Sequence, residues 1–91
     1  MMIRKHIVFY GQVQGVGFRY HARIAADTYG CTGWGRNERD GTVSMEIQGD
    51  EEAIGKVIQF LRQGTYIEID DIDVKEIPVK PTDSRFRVEI W

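Results

Sequence analysis

The sequence predicts an α+β fold, a sandwich in the order β-α-β-β-α-β with a mostly antiparallel sheet, both helices on one face and a short fifth strand. Three observations support this prediction. Two segments have apolar residues at helical spacing, other segments alternate like half-buried strands, and turn residues fall between them. The 91 residues suffice for one hydrophobic core, so we expect a single domain over residues 1–91.

The first half of the chain predicts a strand, a helix and a second strand. Lys5–Tyr10 is rich in β-branched and aromatic residues and ends at a glycine, as strands often do. Helical periodicity then runs from Phe18 to Tyr29, and Gly30 stands where a helix C-cap belongs. Trp34–Asn37 is predicted as the second strand, joined to the next by an Asp-Gly turn typical of hairpins.

The second half predicts two further strands around a second helix, and then a short fifth strand. Thr42–Gln48 alternates apolar and polar residues, which predicts a strand with one buried face. Asp50 is predicted to cap the N-terminus of a helix that ends near Arg62. Ile69–Ile77 is predicted as the fourth strand, and alternation of apolar residues predicts the fifth, at Phe86, Val88 and Ile90. This order is the ferredoxin-like split arrangement.

Composition and charge argue against several classes of protein. The net charge is −2, whereas nucleic-acid-binding proteins are usually basic, so we expect no nucleic-acid partner. No apolar run approaches the ~18 residues of a membrane span, and the N-terminus has no secretory signal, so we expect a cytoplasmic protein without membrane contact. The single cysteine, Cys31, cannot form an internal disulfide and is interpreted as a small apolar residue. We expect a monomer, although no sequence feature bears on the oligomeric state.

A glycine-rich segment, GQVQGVGFRYH, joins the first strand to the first helix. We call its residues 11–17 the glycine loop. Glycines let consecutive backbone N–H groups converge at a helix N-terminus, and Arg19 adds a planar cation suited to phosphate oxygens. The spacing leaves two interpretations open: a site for a phosphate-sized anion, or a tight turn whose arginine faces solvent. It is neither a Walker loop nor a dinucleotide fingerprint, because no Gly-Lys-Ser/Thr follows and Tyr20 stands three residues after Gly17.

Two long motifs resemble those of the acylphosphatase family. They are Gly-x-Val-Gln-Gly-Val-Gly-Phe-Arg at residues 11–19 and Gly-Trp-x-x-Asn-x-x-x-Gly-Thr-Val at residues 33–43. The resemblance implies hydrolysis of the carboxyl–phosphate bond of small acyl phosphates, without metal or cofactor. It also implies that Arg19 binds the phosphoryl group and that Asn37 orients the attacking water. The phosphate cradle implied by the resemblance consists of Gln14, Gly15, Val16, Gly17, Phe18 and Arg19.

The chemistry of acyl phosphate hydrolysis fits such a small set of groups. The leaving group is a carboxylate whose conjugate acid has a pKa of about 4, so it departs unprotonated near neutral pH. In phosphoryl transfer the protein contributes mainly by positioning the reactants and by stabilising the charge of the transition state. The resemblance further suggests that a phosphate oxygen of the substrate takes the proton of the water. One departure from the family pattern is Gly35, where the family usually has valine. Glycine weakens a strand, so the orientation of the Asn37 amide, two residues later, stays open.

Two other functions remain open at this point. One is a non-catalytic or weakly active ferredoxin-like module that binds phosphate or carbamoyl phosphate. The other is an RNA-binding sheet, but the aromatic segment at residues 17–20 falls at a helix start and not on a strand. His21 lies near the glycine loop and is interpreted as a partly exposed helix residue. His6 lacks a Cys or His partner in the predicted strands, so we expect no metal site.

Overall fold

The structure, a computed structural model, describes residues 1–89. The helices and strands follow the predicted order, and Ile90 of the predicted fifth strand lies outside the described residues. The elements are β1 (Met2–Gln12), α1 (Phe18–Tyr29), β2 (Thr32–Asn37), β3 (Val43–Asp50), α2 (Glu51–Arg62), β4 (Glu68–Ile77) and β5 (Phe86–Glu89). Neither helix has the length and apolar character needed to cross a membrane within this described part of the chain.

The strands form one sheet in the order β4-β1-β3-β2-β5. The central pairs are antiparallel and β5 runs parallel to β2, so the prediction of a mostly antiparallel sheet is confirmed. Because β1 and β2 both run antiparallel to β3, they run in the same direction. Their carboxyl ends therefore lie at the same end of the sheet, which brings the glycine loop after β1 close to Asn37 at the end of β2.

Both helices cover one face of the sheet and enclose the hydrophobic core. The Phe9 and Phe18 rings pack with centroids 4.8 Å apart, which anchors the first residue of α1 beneath the glycine loop. Burial of such a side chain stabilises the fold by roughly 1.5–3 kcal/mol. Alanines on α1 let the helix approach the sheet closely. The fully buried apolar core includes Ile7, Phe9, Ala22, Ala26, Val43, Met45, Ile47, Val57 and Leu61.

The predicted elements are confirmed within the described residues, but several of their bounds differ: β1 begins at Met2, β2 begins at Thr32 and β3 runs to Asp50. Gly30 adopts the left-handed conformation at the C-cap of α1, as predicted. Asp50 stands at the N-cap of α2, but its side chain makes no capping hydrogen bond among the described residues. Strand β1 extends past the predicted Tyr10 through an irregularity at Gly11, where a Cβ would overlap the Glu68 carbonyl oxygen. Gly11 therefore serves the β1–β4 pairing.

The prediction of one buried face on β3 is wrong, and at the end of the strand near Gln48 the connection between β4 and β5 covers the face opposite the helices. Ser44 and Gln48, predicted on the solvent side, are buried. The Gln48 amide donates to the Lys80 carbonyl at 2.9 Å and accepts from the Lys80 N–H at 2.8 Å. A polar strand face is thus covered by a loop that satisfies its hydrogen bonds.

Arg4 lies fully buried beneath this connection. Its guanidinium donates to Glu46 and to Asp83, each at 2.8 Å, and to the Gln48 side-chain oxygen at 3.2 Å. Burial works to raise the pKa of both carboxyls, but the hydrogen bonds and charges of their basic neighbours outweigh it. The pKa values of Glu46 and Asp83 are therefore lowered. The connection is attached to β1 and β3 through this buried arginine.

Candidate active site

A cavity of about 370 Å³ lies where the glycine loop, the start of α1, the end of β2 and β5 meet. We call it the loop cavity. Of the residues predicted to bind phosphate or act in catalysis, it brings together Gly15, Gly17, Phe18, Arg19 and Asn37. The other lining residues are Val13, Tyr20, Arg23 and Val88. Two arginines and no carboxylate line the cavity within the described part of the chain, which favours an anion.

The backbone of the glycine loop is left-handed at two positions, a conformation that favours glycine. Gly15 and Gly17 are left-handed, with φ values of +70° and +76°. No described atom lies within 4 Å of a Cβ built at Gly15, so the backbone angle and not lack of space favours glycine there. Gly17 is the N-cap of α1 and has no side chain to accept from the first N–H groups of the helix. These N–H groups are therefore available to a bound anion.

Arg19 is held in place by the edge strand β5. Its Nη1 donates to the Glu89 carbonyl at 2.6 Å, and the side chain is half-buried. A guanidinium is planar and rigid, so this hydrogen bond to the backbone restricts where the other N–H groups of Arg19 can lie. The sequence pattern contains no signal for this contact, because the two residues are 70 positions apart.

The side chain of Gln14, a residue of the predicted phosphate cradle, is held by two backbone carbonyls. Its Nε2 donates to the Glu38 carbonyl at 2.7 Å and to the Thr42 carbonyl at 2.9 Å. Both carbonyls belong to the turn between β2 and β3, which begins directly after Asn37. The Gln14 side chain thus connects the glycine loop to the turn beside Asn37. Val16 likewise packs against the core and does not line the loop cavity.

Asn37 is the last residue of β2 and is half-buried. Alternation along the strand places the preceding Arg36 on the opposite face, where its guanidinium lies 5.1 Å from the Trp34 ring centroid and 3.1 Å from the Glu38 carboxylate. Asn37 lines the loop cavity and also the rim of a depression of about 910 Å³ on the far side of the sheet. The strand end therefore presents an amide at the cavity wall, opposite the glycine loop.

Gly35 leaves space beside Arg19. Its φ is not positive, and a Cβ there would lie 3.7 Å from the Phe86 ring and 3.8 Å from Arg19 Cγ, which is ordinary contact. We expect Gly35→Ala to raise the free energy of unfolding by about 0.4–1 kcal/mol, because alanine restricts the unfolded chain. Urea unfolding measures this change. Gly35→Val serves as a comparison. Its added methyl groups extend toward Phe86 and Arg19, so we expect a smaller increase in the free energy of unfolding than in Gly35→Ala. A loss of stability in Gly35→Ala would contradict the prediction.

His21 supports the conformation of Gly17. Its ring Nδ1 lies 2.7 Å from the Gly17 carbonyl, which also accepts the His21 backbone N–H at 2.9 Å. Since a carbonyl only accepts, Nδ1 bears the proton in this contact. The imidazole ring also packs against the Phe60 ring of α2, with the two ring centroids 6.1 Å apart. His21 is half-buried, which agrees with its interpretation as a partly exposed helix residue.

The remaining candidate side chains lie outside the loop cavity. Cys31 is buried, and burial raises the pKa of its thiol to about 11, so it stays protonated at neutral pH. His6 packs edge-on against Trp34 at 6.2 Å. Among residues 1–89, no three His, Cys, Asp or Glu side chains are grouped so as to hold a metal ion. A depression of about 610 Å³ near Tyr29 and Asp50 lies at the other end of α1.

The fold and the loop cavity define a class: a small α+β sandwich with a glycine loop, an arginine and an asparagine at one end of its sheet. A model of the acylphosphatase family matches residues 5–88. The acylphosphatase of Clostridium acetobutylicum is 40% identical over 89 residues, covering 97% of this chain and 98% of that protein. The crystal structure of acylphosphatase from Bacillus subtilis matches with a TM-score of 0.88 and 32% identity, over 99% of this chain and 100% of that one. The chain belongs to the acylphosphatase family, and the prediction of an enzyme of this family is confirmed.

The same fold also occurs inside a much larger protein. Full-length HypF, in a phosphate- and nucleotide-bound crystal form, matches with a TM-score of 0.87 and 30% identity. The match covers 98% of this chain but 12% of HypF. A unit of this fold can therefore be one segment of a larger chain.

Proposed function

We propose that this protein hydrolyses acyl phosphates to a carboxylate and inorganic phosphate. The observation that supports this most strongly is the meeting of the glycine loop, Arg19 and Asn37 in one cavity, in a chain of the acylphosphatase family. The phosphoryl group binds to Arg19 and to the backbone N–H groups of residues 14–19. Asn37 holds the attacking water. The protein acts as a cytoplasmic monomer on a small-molecule substrate, without metal or cofactor.

The reaction is a direct displacement at phosphorus. Water attacks from the side of Asn37, the bond between phosphorus and the bridging oxygen breaks, and the carboxylate leaves with the bonding electron pair. A phosphate oxygen of the substrate takes the proton of the water. Arg19 and the loop N–H groups stabilise the charge on the equatorial oxygens, which the loose transition state of phosphoryl transfer spreads over them. A carboxylate leaving group needs no protonation near neutral pH.

Asn37→Ala tests the proposed position of the water. We expect kcat for acetyl phosphate to fall by about 10²-fold or more, the scale of losing one positioned hydrogen-bonding group. Inhibition by inorganic phosphate should stay as in the unaltered protein, because Arg19 and the loop N–H groups remain.

The metal-free mechanism is tested by running the hydrolysis assay of the unaltered protein with and without EDTA. We expect turnover to persist in EDTA.

Gln59→Ala is the matched control, since it removes an exposed amide on α2 and should change neither quantity. If Asn37→Ala lost phosphate binding while its remaining turnover was normal, the proposed division of roles, with phosphate bound by Arg19 and water by Asn37, would be contradicted. Activity lost in EDTA and restored by a divalent ion would contradict the metal-free mechanism. Absence of hydrolysis in the unaltered protein would overturn the proposed function.

The second candidate is a module that binds phosphate or carbamoyl phosphate with little or no turnover. The likeness to part of HypF in a phosphate-bound form supports it, as does the unusual Gly35. Calorimetric titration with inorganic phosphate separates the two candidates when combined with the hydrolysis assay. Binding without turnover of any acyl phosphate would favour the module.

A further inference from the structure

A second arginine lines the loop cavity, one helical turn beyond Arg19. Arg23 stands four residues later on α1, so both side chains lie on the same face of the helix. The helical rise places the Arg23 backbone about 6 Å further along the axis than that of Arg19. Tyr20 and Val88 also line the cavity. The cavity thus has a cation at the phosphate site and another further along the helix.

Nothing in the described part of the protein neutralises this second cation. Arg23 is exposed, and no carboxylate of residues 1–89 forms an ion pair with it. Asp27 follows one turn later on the same helix but does not pair with it either. Arg19, in contrast, is fixed by the Glu89 carbonyl. The Arg23 guanidinium is therefore available to an anion that enters the cavity.

The direction of the reaction assigns the two ends of the cavity to different parts of the substrate. In phosphoryl transfer the attacking and leaving oxygens lie roughly in line through phosphorus. The proposed mechanism places the water at Asn37, beside the N-terminal end of α1. The leaving carboxyl group then points away from Asn37, and Tyr20 and Arg23, which line the same cavity further along α1, are the side chains we infer it to approach.

We propose that Arg23 determines specificity by binding a second carboxylate on the acyl part of the substrate. The preferred substrates are monoacyl phosphates of short dicarboxylic acids. A guanidinium recognises a carboxylate through two parallel hydrogen bonds, which suits it to this role. The inference rests on the proposed function, since it concerns the substrate of the same cavity.

Two substrates of equal chain length test the inference: succinyl phosphate, which ends in a carboxylate, and butyryl phosphate, which ends in a methyl group. Steady-state kcat/KM is measured for both with the unaltered protein and with Arg23→Gln. We expect a preference for succinyl phosphate that falls about five-fold in Arg23→Gln, the scale of a solvent-accessible charge pair. The kcat/KM for butyryl phosphate should fall less than that for succinyl phosphate, because this substrate loses only the longer-range attraction of the Arg23 charge for its phosphate. The preference should also weaken as salt is raised, because exposed charges are screened.

Lys75→Gln is the matched control, since it removes one positive charge from β4 at the opposite edge of the sheet. It should leave the ratio of the two kcat/KM values unchanged, which separates a local contact from an effect of net charge. If both substrates are hydrolysed and Arg23→Gln leaves their ratio unaltered, the role of Arg23 is wrong while the proposed function stands. If neither substrate is hydrolysed, both proposals fail. Arg23 is exposed and outside the core, so circular dichroism should show an unaltered fold.

Discussion

Arg19→Lys is expected to lower kcat/KM for acetyl phosphate by about 10³-fold or more, although the positive charge is retained. The structure supplies the reason. The arginine donates to the Glu89 carbonyl through one N–H, while the rest of its planar group can bind phosphoryl oxygens. A lysine ammonium has its three donors on one nitrogen, so it cannot reach the Glu89 carbonyl and at the same time present two parallel N–H groups to phosphoryl oxygens. Inorganic phosphate should also inhibit the variant much more weakly.

Steady-state hydrolysis and phosphate inhibition measure both effects. Arg62→Lys, an exposed exchange of the same kind at the end of α2, is the control and should behave as the unaltered protein does. Arg19 lies outside the hydrophobic core, so its replacement should shift the unfolding midpoint little. Near-normal kinetics in Arg19→Lys would remove this arginine from the mechanism.

Arg4→Ala is expected to lower the free energy of unfolding by about 3 kcal/mol or more, the scale of breaking a buried ion pair. The change removes the cation between Glu46 and Asp83, whose side chains are 15% and 5% exposed. Lys80 and Arg87 still contact these carboxylates, but from the surface. Urea unfolding at pH 7 measures the loss. Lys5→Ala is the control at the adjacent position. Lys5 forms an ion pair with Glu51, whose side chain is exposed, so this pair should contribute less than about 1 kcal/mol to the free energy of unfolding.

The loss of stability in Arg4→Ala is also expected to depend on pH. The pKa values of Glu46 and Asp83 are lowered in the folded protein. Their contribution to stability is therefore complete above the pKa values of the unfolded chain, about 3.9 for Asp and 4.3 for Glu. It is lost as the pH falls through the lower, folded values. We expect the stability difference between the unaltered protein and Arg4→Ala to narrow below about pH 4. A difference that stayed constant from neutral to acidic pH would show that Arg4 acts through packing alone.

Local patterns in the sequence determined the elements and part of the site. The apolar spacing from Phe18 and the glycine at position 30 predicted α1 with its C-cap, and the Asp-Gly pair predicted the β2–β3 hairpin. Residues near in sequence decide such features, because helical periodicity, caps and turns depend on contacts a few residues long. The glycines at positions 15 and 17, with the arginine after them, left two interpretations open, a site for a phosphate-sized anion or a tight turn, and the anion site stays a prediction.

The tertiary structure alone decided which distant residues complete that site and which polar groups are buried. Strand order brings Asn37 to the glycine loop through β3, and parallel pairing with β2 brings the Glu89 carbonyl to Arg19. The same is true of Gln14, which reaches the hairpin, and of Arg4, which lies beneath the connection between β4 and β5. These contacts join residues 24 to 79 positions apart. Their partners are backbone carbonyls or charged groups without a periodic pattern, so burial follows from how the sheet and its connections pack.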